Sequence, residues 1–198
     1  KIIKKLNKSE ENKELILILG CYYPLYKLTD RIPFLKSFKS SDIRINRLLK
    51  LQILDPLKER ELSKKIKRIG HIDDETSKRV LNQYEKRPFP AWRNTFDYHK
   101  LQKDAYQKIN DDIKPNFINT NFKSKELNIL IAGCGTGQQV LQATAYKNSQ
   151  ITAIELSLSS LAYAKRKINE IGINNVGLIQ MDILELSLMK EKFDLIEC

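Results

Sequence analysis

Leu127-Asn128-Ile129-Leu130-Ile131-Ala132-Gly133-Cys134-Gly135-Thr136-Gly137-Gln138-Gln139-Val140 places three glycines within five residues, directly behind an apolar run. The run reads as a buried strand, and residues 138–147 behind the glycines as a helix. Working outward, residues 151–155 form a second strand and residues 158–171 a helix, with Ser157 as its cap and Gly172 as its stop. Residues 176–181 read as a third strand and 193–198 as a fourth. Short, continuously apolar strands alternating with amphipathic helices define an α/β fold, a Rossmann-like parallel sheet with helices on both faces. Ligands of such sheets sit at the carboxyl ends of the strands where the strand order reverses, and Gly133 falls at that position for the first strand.

The spacing of the loop narrows the ligand. A triphosphate loop needs Gly-Lys-Ser/Thr at its end, and here Gly137 is followed by Gln138-Gln139. A dinucleotide loop is G-x-G-x-x-G, and here the third glycine comes one residue early, as Gly133, Gly135 and Gly137. The second strand ends in Glu155, 20 residues beyond Gly135, where a carboxylate can accept both hydrogen bonds of a ribose diol. Past the third strand, Asp182 stands at a distance suited to an adenine amino group, with Ile183 able to cover the ring. Taken singly, the glycines fit close helix packing, Glu155 a solvated strand end, and Asp182 a cap for residues 183–189.

Taken together, in this order, they resemble the class I S-adenosylmethionine-dependent methyltransferases. Residues 130–138 are similar to that family's first motif, Glu155 to its ribose acid, Asp182-Ile183 to its adenine pair and 193–198 to its fourth strand. The resemblance implies S-adenosyl-L-methionine as cofactor. It implies cofactor contacts at Ala132, Gly133, Cys134, Gly135, Thr136, Gly137, Glu155, Leu156, Asp182, Ile183 and Cys198, and assigns no catalytic base and no metal. Upstream, Cys21-Tyr22-Tyr23-Pro24-Leu25, Ile72-Asp73-Asp74, Gln83-Tyr84-Glu85 and Pro88-Phe89-Pro90-Ala91-Trp92 resemble the region between repeats and catalytic domain in bacterial tetratricopeptide-repeat methyltransferases.

The N-terminal residues 1–70 read as a helical region. Ser9-Glu10-Glu11 suits a helix start, Ser41-Asp42 precedes the apolar stripe Ile43, Ile45, Leu48, Leu49 and Ile53, and Asp55-Pro56 offers a cap for a last helix running to Gly70. Residues 71–123 form a connecting segment. Asp73-Asp74-Glu75 starts a short helix through Tyr84, and Pro88 and Pro90 hold an extended strip carrying Phe89 and Trp92. Tyr84, Phe89, Trp92 and Phe96 suit either a clasp or a wall over a neighbouring pocket. Residues 97–125 read as polar loop, and residues 124–198 as the partial cofactor-binding domain, truncated after its fourth strand.

Of 35 Lys and Arg against 24 Asp and Glu, residues 1–100 hold 24 against 13, so the whole excess of +11 lies in that half. Lysines on solvated helix faces account for it, and a basic surface for RNA is the alternative. Cys21, Cys134 and Cys198 form no C-x-x-C pair, so neither a disulfide framework nor a zinc site is expected, and a reducing, cytoplasmic setting fits. No run is long enough for a membrane span. The chain opens at Lys1 and closes on what reads as a strand in progress, so the expectation is a fragment of a larger enzyme, poorly active alone. The functional expectation is methyl transfer to a small-molecule or protein acceptor. The alternatives are an RNA methyltransferase or RNA-binding module, and an NAD-dependent oxidoreductase.

Overall fold

The computed structural model describes residues 12–86, 88–94, 96–119 and 126–198. The chain divides into two compact units, Lys1–Glu61 and Leu62–Cys198. The helix start expected at Ser9-Glu10-Glu11, and the boundary expected between residues 123 and 124, lie outside the described residues.

The first unit is helical. Helix α1 (Lys13–Tyr22) is followed by two 3-10 turns, then α2 (Ile43–Leu49), a π-turn at Lys50–Leu54 and α3 (Asp55–Ser63). Asp42 caps α2, accepting from the Arg44 N–H at 2.8 Å. Ile16, Leu25, Leu28, Leu35, Ile45 and Ile53 make its core. Asp55 is not the cap expected of it. Its backbone is helical and its N–H bonds back to the Lys50 carbonyl, five residues away, so the π-turn carries the helix into Pro56, where the proline removes a donor.

The second unit is built on a five-stranded parallel sheet, with β1 (Lys67–Arg68), β2 (Leu127–Ala132), β3 (Ser149–Glu155), β4 (Val176–Gln180) and β5 (Leu195–Glu197) in the order β1-β4-β3-β2-β5. The sequence anticipates the last four of these strands. The first corrects the helix expected through Gly70: α3 stops at Ser63, and Lys67 and Arg68 instead pair with Ile179 and Gln180. Ile66 and Ile69 turn into the cores on the two faces of the sheet, which favours extended chain over a further helical turn.

Helix α4 (Glu75–Lys86) starts as expected, with Asp74 accepting from the Ser77 N–H. The polar loop expected at 97–125 holds a helix, α5 (Ala105–Asp112). Asp104 caps it through the Gln107 N–H, and Ala105 and Ile109 reach the sheet core. Helix α6 (Gln138–Ala143) is shorter than its apolar pattern suggests, because the Thr144 hydroxyl donates to the Leu141 carbonyl at its end. Helix α7 (Leu158–Ile171) has the expected bounds, its Ser157 cap and its Gly172 stop.

Leu127, Ile129 and Ile131 pack with Val140 and Leu141 of α6 and Leu161, Ala164 and Ile168 of α7 on one face. Leu130, Ala132, Ile154 and Met181 pack on the other, beneath the 3-10 helix Ile183–Leu188 and Phe193. The succession β4-β3-β2 followed by β5 on the far side of β2 puts the reversal of strand order between β2 and β5, beside Gly133.

Candidate functional site

The register sets the rim on which the site is built. Ala132 stands opposite Ile154, and Glu155 opposite Gln180, so three strands end side by side. The loop leaving β2 then folds back onto β3: the N–H groups of Gly133 and Cys134 both donate to the Ile154 carbonyl, at 3.0 and 2.9 Å. The Gly137 N–H closes the turn on the Cys134 carbonyl.

The three glycines have two different reasons to be glycine. A Cβ on Gly133 or Gly135 would meet nothing within 4 Å, yet Gly135 has φ +51° and faces the cavity, so a side chain there would enter ligand space. A Cβ on Gly137 would lie 2.8 Å from the Ala164 Cβ, so this glycine lets the start of α6 press against α7.

Glu155 ties the rim together. One carboxylate oxygen accepts from the Gly135 N–H at 3.1 Å and the other from the Ser157 N–H at 3.0 Å. Two backbone donors thus hold the carboxylate in one orientation at the mouth of the sheet, with lone pairs left for a diol. Ser157 passes the arrangement on. Its hydroxyl donates to Glu85 of α4 at 2.8 Å and accepts from the Ser160 N–H, and Glu85 also accepts from the Ser159 N–H. An anion at the first turn of α7 meets the positive end of its peptide dipoles.

The aromatic strip is both clasp and wall. Trp92 packs edge-on against Tyr163 with ring centroids 5.6 Å apart, its indole N–H donates to the Thr136 carbonyl at 3.1 Å, and Lys167 lies 4.9 Å from its ring centroid. The Tyr163 hydroxyl donates to the Trp92 carbonyl, and Lys167 to that of Arg93. The Thr136 hydroxyl donates to the Pro90 carbonyl at 2.8 Å, so the glycine loop and the strip exchange hydrogen bonds in both directions. Phe96 takes no part in this and packs on Tyr98. Tyr84 and Phe89, with Val80, form one wall of the cavity over the rim.

That cavity has a volume of about 430 Å³, within the range of small-molecule sites. It brings together seven of the eleven residues expected from the sequence: Ala132, Gly133, Gly135, Glu155, Leu156, Ile183 and Cys198. The other four stand apart from its wall. Cys134 is buried beneath the loop, and burial, reinforced by the nearby Glu155 charge, pushes its thiol pKa up, so it stays protonated. Thr136 faces the proline strip and Gly137 faces α7. Asp182, 2 % exposed, caps the 3-10 helix by accepting from the Leu184 N–H, and its neighbours Met181 and Ile183 form the wall instead. Tyr84 and Phe89 come from the aromatic strip expected to wall a pocket, whereas Val80, Ile154, Ser160 and Met181 are additions of the structure. For Ser160 no sequence signal exists, since it reads only as the third residue of a capped helix.

Among the described residues no helix is long and apolar enough to cross a membrane, and no three His, Cys, Asp or Glu side chains group to hold a metal.

Comparison with known proteins gives the same segment. Residues 129–198 match the methyltransferase domain family. A malonyl-[acyl-carrier protein] O-methyltransferase of Priestia megaterium is 36 % identical over 108 residues, 52 % of this chain and 38 % of that one. An uncharacterized protein of Rickettsia prowazekii is 38 % identical over 71 residues, 35 % of this chain and 28 % of that one. Among solved structures, PKMT2 of Rickettsia typhi in complex with AdoHcy is 36 % identical over 36 % of this chain and 14 % of that one, with a TM-score of 0.33. The chain therefore spans between 28 % and 38 % of the length of these two curated relatives.

Proposed function

We propose, from the premise that residues 129–198 are a class I S-adenosylmethionine-dependent methyltransferase segment, that this chain binds S-adenosyl-L-methionine at the rim of β2, β3 and β4 and takes part in methyl transfer to a small-molecule or protein acceptor. The observation that carries this reading is the pairing of an open glycine cradle with a carboxylate that two backbone donors hold in place.

The residues present fit the cofactor. Gly133 and Gly135 leave room for a chain to lie against the loop, as no Cβ intrudes there. Glu155 accepts from the ribose hydroxyls, and Leu156, Met181 and Ile183 offer apolar surface to the adenine faces. Asp182 keeps the 3-10 turn in place, which sets Ile183 over the ring. When bound, S-adenosylmethionine supplies an activated methyl on a sulfonium, so the protein's part is chiefly alignment, worth at most roughly 7–11 kcal/mol. Val80, Tyr84 and Phe89 complete the lining of the cavity. Cys198, at the end of β5, stands at the strand reversal where an acceptor would approach.

The dinucleotide and RNA alternatives gain no support from the methyltransferase match. The test is calorimetric titration with S-adenosylhomocysteine, NADH and a short RNA: one site for the first and heat from neither of the others is the expected result. Binding of NADH in place of S-adenosylhomocysteine would overturn the proposal.

A further inference from the structure

Ser157 stands between two carboxylates and gives each a different donor. Its backbone N–H donates to Glu155 at 3.0 Å, and its hydroxyl donates to Oε2 of Glu85 at 2.8 Å. The residue is fully buried, so its hydroxyl proton depends on an acceptor from the protein. The same hydroxyl accepts from the Ser160 N–H at 3.1 Å, as the cap of α7.

A serine hydroxyl has one proton on a freely turning bond, and a cap whose proton has no acceptor is loosely directed. Glu85 removes that freedom. Its Oε2 takes the Ser159 N–H at 3.2 Å as well as the Ser157 proton, at the end of α7 where peptide dipoles favour an anion. The turn between β3 and α7, which holds Glu155 by the Ser157 N–H, is thereby clamped from a separate helix. That helix, α4, has Ser77 as its one buried residue, and among the described residues it is Glu85 that hydrogen-bonds it to another element. It also brings Val80 and Tyr84 to the cavity.

We propose that Glu85 is a positioning residue of the cofactor site: through Ser157 it fixes the turn that orients the Glu155 carboxylate, and so makes affinity for the ribose depend on a helix outside the methyltransferase match at residues 129–198. This rests on the S-adenosylmethionine reading, which places Glu155 on the ribose.

Two variants and two ligands test it. Glu85→Gln keeps an acceptor oxygen on a side chain of the same length, and Glu85→Ala removes it. Calorimetry with S-adenosylhomocysteine should show the glutamine variant within about twofold of the parent chain and the alanine variant weaker by about three- to tenfold, the scale of one hydrogen bond. The penalty for removing the ribose 2′-hydroxyl, measured with the 2′-deoxy analogue, separates positioning from packing. It should fall by at least about twofold in Glu85→Ala and hold in Glu85→Gln. A lower melting temperature with that penalty unchanged means that Glu85 only anchors α4, and overturns the proposal. Full affinity in the alanine variant, or a glutamine variant as impaired as alanine, overturns it too and leaves the cofactor reading standing. Should Glu85→Ala not fold, Glu85→Asp, one methylene shorter, takes its place with the same expectations. A folded parent chain that binds neither ligand removes the cofactor reading and this proposal with it.

Discussion

Replacing Glu155 with alanine is the sharpest probe of the rim, because its carboxylate both holds the loop and is assigned to the ribose. Its oxygens accept from the Gly135 and Ser157 N–H groups at 3.1 and 3.0 Å. Hydrogen bonds to an ionised group contribute roughly 1.5–3 kcal/mol, so Glu155→Ala should raise the dissociation constant for S-adenosylhomocysteine by about 13- to 160-fold. Loosening of the loop contributes to that figure, and a second ligand separates the two effects. The 2′-deoxyribose analogue of S-adenosylhomocysteine should bind the parent chain more weakly than S-adenosylhomocysteine itself, and should bind the alanine variant with nearly the same affinity. A double-mutant cycle between carboxylate and hydroxyl then isolates their coupling. Calorimetry supplies the affinities, and circular dichroism establishes that the variant is folded. Unchanged affinity in a folded variant, or an identical deoxy penalty with and without the carboxylate, would refute the assignment of Glu155 to the ribose.

Further predictions address other parts of the chain. Gly137→Ala puts a methyl 2.8 Å from the Ala164 Cβ at φ +87°, so urea unfolding should show a loss of about 1–3 kcal/mol, whereas a neutral result would mean that α6 and α7 are not so closely packed. With a thiol reagent at pH 8, the exposed Cys21 and Cys198 should react at once and the buried, protonated Cys134 only after denaturation; three fast thiols would contradict its placement. The Arg44 side chain, followed by its backbone N–H, holds the Asp42 carboxyl at about 2 against an ordinary 3.8. Its folded pKa is depressed, so its contribution to stability is present above pH 4 and is lost as pH falls towards 2. The difference in urea midpoint between the parent chain and Asp42→Asn should therefore shrink over that window, and a constant difference would remove Asp42 as a charged cap.

Much of the fold could be read from the chain because the pattern that buries a parallel strand is local. Residues 127–132 and 151–155 are apolar enough to need cover on both faces, and the register that follows brings Gly133 and Glu155 together. Where the outcome depended on partners distant in sequence, the reading failed. Lys67-Arg68 pairs with β4 across more than a hundred residues, and no local propensity marks so short a strand. Ala105 and Ile109 give α5 an apolar face of two residues, too little to stand out in a polar stretch. Asp55-Pro56 suggests a helix start because a π-turn, which lets a helix run into a proline, leaves no compositional mark.

The candidate site divides in the same way. The glycine loop and its carboxylate follow from spacing, and the cavity gathers most of what spacing suggested. Ser160 in the cavity wall could not be found that way, since it reads only as the third residue of a capped helix. Asp182 shows the converse. A carboxylate at the expected position caps the 3-10 helix through the Leu184 N–H, and its neighbours Met181 and Ile183 line the cavity.

The central claim is that the loop after β2 and the end of β3 form one berth for an adenosine bearing a sulfonium. Amide chemical shifts of the ¹⁵N-labelled chain, followed through a titration with S-adenosylhomocysteine, test it most directly. Saturable shifts at Gly133, Gly135, Glu155, Leu156 and Ser160, with residues of the first unit unmoved, are the predicted result. Shifts gathered elsewhere, or a folded chain whose spectrum does not change, would contradict it.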